Sequence, residues 1–267
     1  MFKSLCQLLY KPIIYLRIYL AAIACGVSEA TTYRIPLALM IVVEFLSSLC
    51  TLAAVYVLFY HLDSIGPWSK EYFLFFTCFA LVIDQLHLAL FADGFWVFSE
   101  MIRLRTLDYI LIRPVSSIFA AIFTHVRPFM VVGMILPTPL LIYYGMSINL
   151  PLISWLLLPI LLLLGLGLLI GIEMLLMCAN FWAVDGYGLN YCRLQLQAIT
   201  RWPDFIYQGA ARKLLTVVVP LLVVVNSPVN FLTSPDEWML ILPLFIALIL
   251  VWTIVTILWK VSLRRYE

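Results

Sequence analysis

The stretch ISWLLLPILLLLGLGLLIGIEMLLMC, from Ile153 to Cys178, carries a single ionisable residue, Glu173. It exceeds the roughly 20 apolar residues that cross the hydrocarbon core of a bilayer as helix. Outward from it the same character persists: of 267 residues 65% are hydrophobic and 11% charged, with a mean hydropathy of +1.08. A soluble domain has about 45–50% apolar and about 25% charged residues, so too few charges are present to cover a water-exposed surface. The chain reads as an all-α integral membrane protein, a single transmembrane domain over residues 1–267.

Four more apolar runs are long enough to span: Ile35 to Tyr60, Tyr72 to Phe91, Ile118 to Tyr144 and Met239 to Trp259. A sixth is divided. Tyr187 to Thr200 is short and holds Arg193, and Leu214 to Val225 is ended by the turn signal Asn226-Ser227-Pro228. This pattern predicts one span followed by an outer re-entrant hairpin over residues 201–235. At the N-terminus, Lys3, Ser4, Gln7, Lys11 and Arg17 share one arc of a helical wheel while Leu5, Leu9, Ile13, Tyr15 and Leu16 lie largely outside it. Residues 1–25 therefore read as an interfacial elbow helix, and the lysine and arginine inside its apolar part argue against a cleaved signal peptide.

Lys3, Lys11, Arg17, Arg34, Arg103, Arg105, Arg113, Arg127, Lys260, Arg264 and Arg265 fall on one side of a six-span arrangement; Lys70, Arg201, Arg212 and Lys213 fall on the other. The positive-inside rule places the first side, with both termini, in the cytoplasm of a multi-pass inner-membrane protein. A net charge of +2 gives no basis for a nucleic-acid partner.

The sequence contains no GxxxxGK[ST] loop, no HExxH and no GxSxG, and the histidines His61, His87 and His125 lie in three segments without ligand spacing, so no catalytic or metal residue is assigned. The six cysteines have no CxxC pairing and sit mostly inside apolar runs, as small packing residues. Gly165 to Gly171, GLGLLIG, lacks dinucleotide-loop spacing and instead offers Gly167 and Gly171 as a GxxxG face for close helix packing.

Ionisable residues inside spans are Glu44, Asp84, His87 and Glu173. Each costs about 2.5–3.5 kcal/mol at the bilayer centre, so each faces protein or water. Asp84 and His87 are i, i+3 on one face, which fits either a translocation path or a helix–helix hydrogen bond; Glu44 and Glu173, without an ionisable neighbour one turn away, read as structural. Between two spans, Trp96 to Pro114 (WVFSEMIRLRTLDYILIRP) predicts one amphipathic cytoplasmic helix, with Ser99, Glu100, Arg103 and Thr106 on a polar face. Its mixed charges, including Asp108, fit a docking helix for a cytoplasmic partner as well as a helix lying on lipid.

The residues Ile102-Arg103, Leu107-Asp108, Leu111 and Arg113-Pro114-Val115-Ser116 resemble the cytoplasmic signature of type-2 ATP-binding-cassette (ABC) exporter permeases. Phe181-Trp182 with Asp185 and Gly188, Pro203-Asp204-Phe205-Ile206-Tyr207 followed by Pro220 and Pro228, and the terminal Leu263-Arg264-Arg265-Tyr266-Glu267 resemble further segments of that family in the same order. Arg105 stands where the family usually has glycine, which opens the question of the local backbone. The resemblance implies a membrane subunit that pairs with a second permease, identical or sibling, and docks a dimer of separate ATPase subunits through residues 96–114, with Glu100, Arg103, Asp108 and Arg113 at the contact. ATP and Mg would be bound by the ATPase, no cofactor by this chain, and the direction would be export. A competing reading is a proton-coupled secondary transporter using Asp84, His87 and Glu173, but the corresponding broken helices such folds carry in both halves are not found.

Overall fold

The computed structural model describes residues 2–62, 64–183 and 186–266, with side chains from residue 13 onward. Lys3, Ser4, Leu5, Gln7, Leu9, Lys11, Asp185 and Glu267 therefore have side chains outside the described set. Helices are the only regular elements among the described residues, apart from one isolated bridge between Ile65 and Trp68. The helices are α1 (Phe2–Thr32), α2 (Arg34–His61), α3 (Lys70–Leu90), α4 (Ala92–Arg103), α5 (Asp108–Leu111), α6 (Ser117–Ile122), α7 (Pro137–Ser147), α8 (Leu152–Cys178), α9 (Gly186–Ile199), α10 (Gly209–Lys213), α11 (Val223–Thr233) and α12 (Leu242–Tyr266).

Among the described residues five helices are long and apolar enough to cross a membrane: α2, α3, α8 with the turn that follows it, α12 with the turn that precedes it, and Ile13–Thr32 of α1. Two bent pairs add to these if each counts as one span: Pro128–Ile135 with α7, at 41°, and Gly209–Val218 with α11, at 88°. The α1 stretch passes that test although it is hardly buried, so helix continues seven residues past the elbow expected over residues 1–25.

Three expected boundaries move, each for a backbone reason. Ile118 to Tyr144 is not one helix. After α6 the chain is irregular, then forms a 3-10 segment Pro128–Ile135 before α7, because Pro137 and Pro139 remove two amide donors. The Asn226-Ser227-Pro228 signal does not end a helix but lies buried inside α11. Asn226 turns its amide to Leu222 O (2.8 Å) and accepts from the Asp204 N–H (3.0 Å). The break occurs instead at Val219, held extended by the following Pro220 (φ −121, ψ 88).

The third change concerns Trp96 to Pro114. Helix α4 stops at Arg103, and Arg105 adopts φ 54. Thr106 N donates to Met101 O (2.9 Å) and Arg105 N to Ile102 O (3.2 Å), the paired bonds of a Schellman cap with Arg105 at the left-handed position. Glycine is favoured at that position because it has no Cβ to clash, which fits the glycine that the resemblance implies there. The predicted single helix is thus two, with α5 following the cap.

Helix α3 is the most enclosed of the long helices, packed by α2, α7, α8, α11 and the 3-10 segment, and Phe73, Phe75, Phe76, Phe79 and Ile83 on it are inaccessible. Helices α8 and α12 share the most extensive contact of the long helices, and Gly171 lies where they approach tightly. A Cβ on Gly171 would stand 2.8 Å from Val251 Cγ1; at Gly167 the nearest atom is 3.9 Å away, and the Gly167 carbonyl accepts from Trp252 Nε1 (3.1 Å).

Candidate functional site

Helix α9 is too short to span alone, yet it lies against α4 and α8 with its polar residues inward. Asn190, Arg193, Gln197 and, beyond the helix end, Arg201 recur at steps of three and four, so they form one stripe. The stripe meets the acids of α3 and α8. Glu173 Oε2 lies 2.6 Å from His87 Nε2 and 3.2 Å from Arg193 Nη1; Asp84 accepts from Gln197 Nε2 (2.9 Å) and Arg201 Nε (2.6 Å). Asn190 accepts from Arg193 Nε (3.3 Å) and donates to Ser99 Oγ of α4 (2.7 Å). Phe95 covers the chain from α4: its ring stacks on His87, and the Arg193 guanidinium sits 4.9 Å from its centroid.

Arg193 is wholly buried, and Asp84, His87 and Glu173 are buried with it. Two carboxylates meet two guanidinium groups, which removes the cost of an isolated charge in the apolar interior. Asp84 and His87, expected to face either a path or a neighbouring helix, therefore occupy the helix–helix interior of this chain. Glu173 finds its ionisable partners on other helices rather than on its own. Arg201, counted above among the outer charges, is tied to Asp84. Arg193 and Arg201 were legible only as interruptions of an apolar run; the stripe at positions 190, 193, 197 and 201 was the signal that could have found them. The proton-relay reading of Asp84, His87 and Glu173 loses force, because two of the three are held by guanidinium groups that do not give up a proton.

The second site lies at the other end of α4. Leu107 and Ile110 are buried and pin the segment after the Schellman cap, while Leu104, Tyr109 and Ile112 are exposed among Glu100, Arg103, Asp108 and Arg113. Glu100 and Arg103 form a 3.5 Å pair with both side chains about half exposed, and Arg103 also lies over the Tyr187 ring at 5.3 Å. Such an exposed pair adds little stability, so both charges are available to a partner. Arg113 borders a cleft with Ile14 and Tyr15 of α1, and Tyr15 Oη accepts from the Ser116 N–H (2.9 Å).

Three distant segments converge beside this loop. Phe181 packs edge-on to Phe98 (5.8 Å), Trp259 (5.8 Å) and Tyr266 (6.1 Å), and Trp259 Nε1 donates to Ser117 Oγ (2.8 Å). Ile102, Arg105, Asp108, Phe181, Arg265 and Tyr266 enclose a cleft of about 580 Å³. The residues that carry the family resemblance at positions 102–116, at 181 and at the end of α12 thus form one assembly around the loop after α4. Among the described residues no group of three or more His, Cys, Asp or Glu is placed to hold a metal ion.

Comparison with known proteins agrees with this arrangement. The sequence model of the ABC-2 family transporter proteins matches residues 45–267, from α2 to the end of the chain. Comparisons with curated proteins and with solved structures gave no match. The match covers most of the chain, including the buried polar chain and the loop after α4: the protein belongs to the ABC-2 family of membrane transporter proteins.

Proposed function

We propose that this protein is the membrane-spanning permease subunit of an ATP-driven exporter. Two permease subunits pair around a path, and a separate ATPase dimer, which supplies the ATP and Mg sites, docks on the loop that contains Glu100, Arg103, Asp108 and Arg113. Both termini lie in the cytoplasm and the residence is the inner membrane. The observation that carries this reading is the loop itself: anchored by buried Leu107 and Ile110, it holds exposed Leu104, Tyr109 and Ile112 within a ring of mixed charges. An apolar centre with a charged rim is the composition of a protein-docking surface.

The route from docking to the spans is short. Ser99, next to Glu100, joins Asn190 and through it Arg193 and Glu173, so a shift of α4 would be felt by α9 and α8. ATP-driven closure of the ATPase dimer biases two such arrangements by differential binding. The test is affinity purification of the protein in mild detergent together with Arg103→Glu. A Walker-motif ATPase that co-purifies with the wild type and is lost with the variant supports the reading; recovery of no ATPase with the wild type overturns it.

A further inference from the structure

Glu44 stands apart from the buried polar chain. It lies about 15 Å along α2 from Arg34 at 1.5 Å per residue, within the hydrocarbon depth of a spanning helix. It is half-buried and contacts Gln85 Nε2 at 3.4 Å, a group shared with Ser48 Oγ at 3.4 Å. Asp84 and Glu173 each have a guanidinium partner, whereas no cationic side chain lies within salt-bridge distance of Glu44 among the described residues. A half-open carboxylate at this depth faces something other than lipid.

The wall opposite is broken backbone. The 3-10 segment Pro128–Ile135 packs on α2 and α3, and runs of this helix type beyond three or four residues are uncommon. Gly133 approaches so closely that a Cβ there would overlap Gln85 Oε1, and that buried oxygen has no hydrogen-bond donor. Pro137 and Pro139 have no N–H, so the carbonyls of Gly133 and Ile135 lose their α-helical donors. Non-helical backbone is tolerated at membrane depth where it is enclosed by protein or lines a path. Carboxylate, unpaired amide oxygen and hydroxyl make a cluster in which acceptors outnumber donors.

A mostly apolar cavity of about 320 Å³ lies one turn away, between α1, α2 and the 3-10 segment, and is not lined by Glu44 itself. Leu37, Met40, Phe129 and Met130 line it together with Glu29 and with Arg127, which is paired to Asp93 (2.6 Å); Met40 lies one turn before Glu44 just as Met130 lies one turn before Gly133. We propose that Glu44, with Gln85, Ser48 and the broken segment at Gly133, recognises a cationic ammonium group on an amphipathic substrate whose apolar part occupies this cavity. The inference rests on the permease reading, since it assigns that permease a substrate class.

The experiment uses the full chain, co-purified with its ATPase and placed in lipid nanodiscs, and a dansyl-labelled alkylamine against its neutral N-acetyl counterpart. Saturable binding of the amine, at least about tenfold tighter than the acetylated probe and reduced to the acetylated level in Glu44→Gln but retained in Glu44→Asp, is expected. In the unmodified chain, the amine but not the acetylated probe should also slow modification of Glu44 by dicyclohexylcarbodiimide, read by mass spectrometry, so the result stands even where a variant fails to fold. Equal binding of the two probes, or no protection of Glu44, overturns the proposal. Recovery of the ATPase with the wild type, scored on the same preparation, tests the permease reading separately.

Discussion

His87 Nε2 and Glu173 Oε2 meet at 2.6 Å across the interface of α3 and α8, and Arg193 of α9 reaches the same carboxylate oxygen at 3.2 Å. One oxygen thus joins three helices through His87 and Arg193, which lie 86 and 20 positions from Glu173 in the chain. Because Glu173 and Arg193 are both buried, neither charge has water to fall back on when its partner is removed.

Arg193→Met is expected to destabilise the protein by about 3–5 kcal/mol, since it removes the guanidinium from a buried carboxylate and leaves it with His87 alone. Glu173→Gln with Arg193→Met should recover part of that loss, as coupled neighbours do. Thermal unfolding in detergent measures both; a single variant as stable as the wild type would show that the pair carries no weight.

At Arg105, whose φ is 54, substitution by glycine should preserve the cap and raise stability by about 1 kcal/mol. Arg105→Val should lower it, because a β-branched side chain tolerates that conformation worst. The midpoint of thermal unfolding orders the three proteins, and a glycine variant less stable than Arg105→Val would refute the strain argument.

Between α8 and α12, Gly171→Leu forces a side chain against Val251 and Trp252 and is expected to cost about 1–3 kcal/mol or more. Gly167→Ala, with its nearest neighbour 3.9 Å from the new Cβ, should be close to neutral. Yield of monodisperse protein after extraction separates the two; equal tolerance would mean that the helices do not pack as described.

Reversal of charge at Arg103 places like charges against an ATPase that recognises the loop, a juxtaposition that costs several kcal/mol. Arg103→Glu should reach the membrane in normal amounts, because its side chain is exposed, and should lose ATPase association and transport. Lys3→Glu, on the elbow helix, should weaken lipid contact by only about 1 kcal/mol and keep association. Full association of Arg103→Glu would return the loop to the role of a lipid-surface element.

Topology is open to reporter fusions. Cytoplasmic reporters should be active after Arg113 and after Glu267 and inactive near Asp63 and after Ser234. Activity at Ser234 would require a different course for the segment that holds the 88° bend before α11.

Composition and apolar run length were enough to settle the class of the protein and nearly all the limits of α2, α3, α8 and α12, because a spanning helix needs only length and apolarity, which are local properties. Small residues one turn apart present one surface whatever packs on it, so Gly167 and Gly171 could be proposed from the sequence, but that the tight approach falls at Gly171 depends on where α12 packs. The Schellman cap was half legible, as a glycine position filled by Arg105, but its left-handed backbone depends on bonds from Arg105 and Thr106 back to Ile102 and Met101. What tertiary structure alone decided was the pairing of charges. Glu173 has no ionisable neighbour along α8, and Arg193 looked like a flaw in an apolar run; their meeting depends on how α9 folds back against α8. A sequence specifies which groups cannot remain alone in an apolar interior, whereas the partner each one finds is fixed by the packing of helices far apart in the chain.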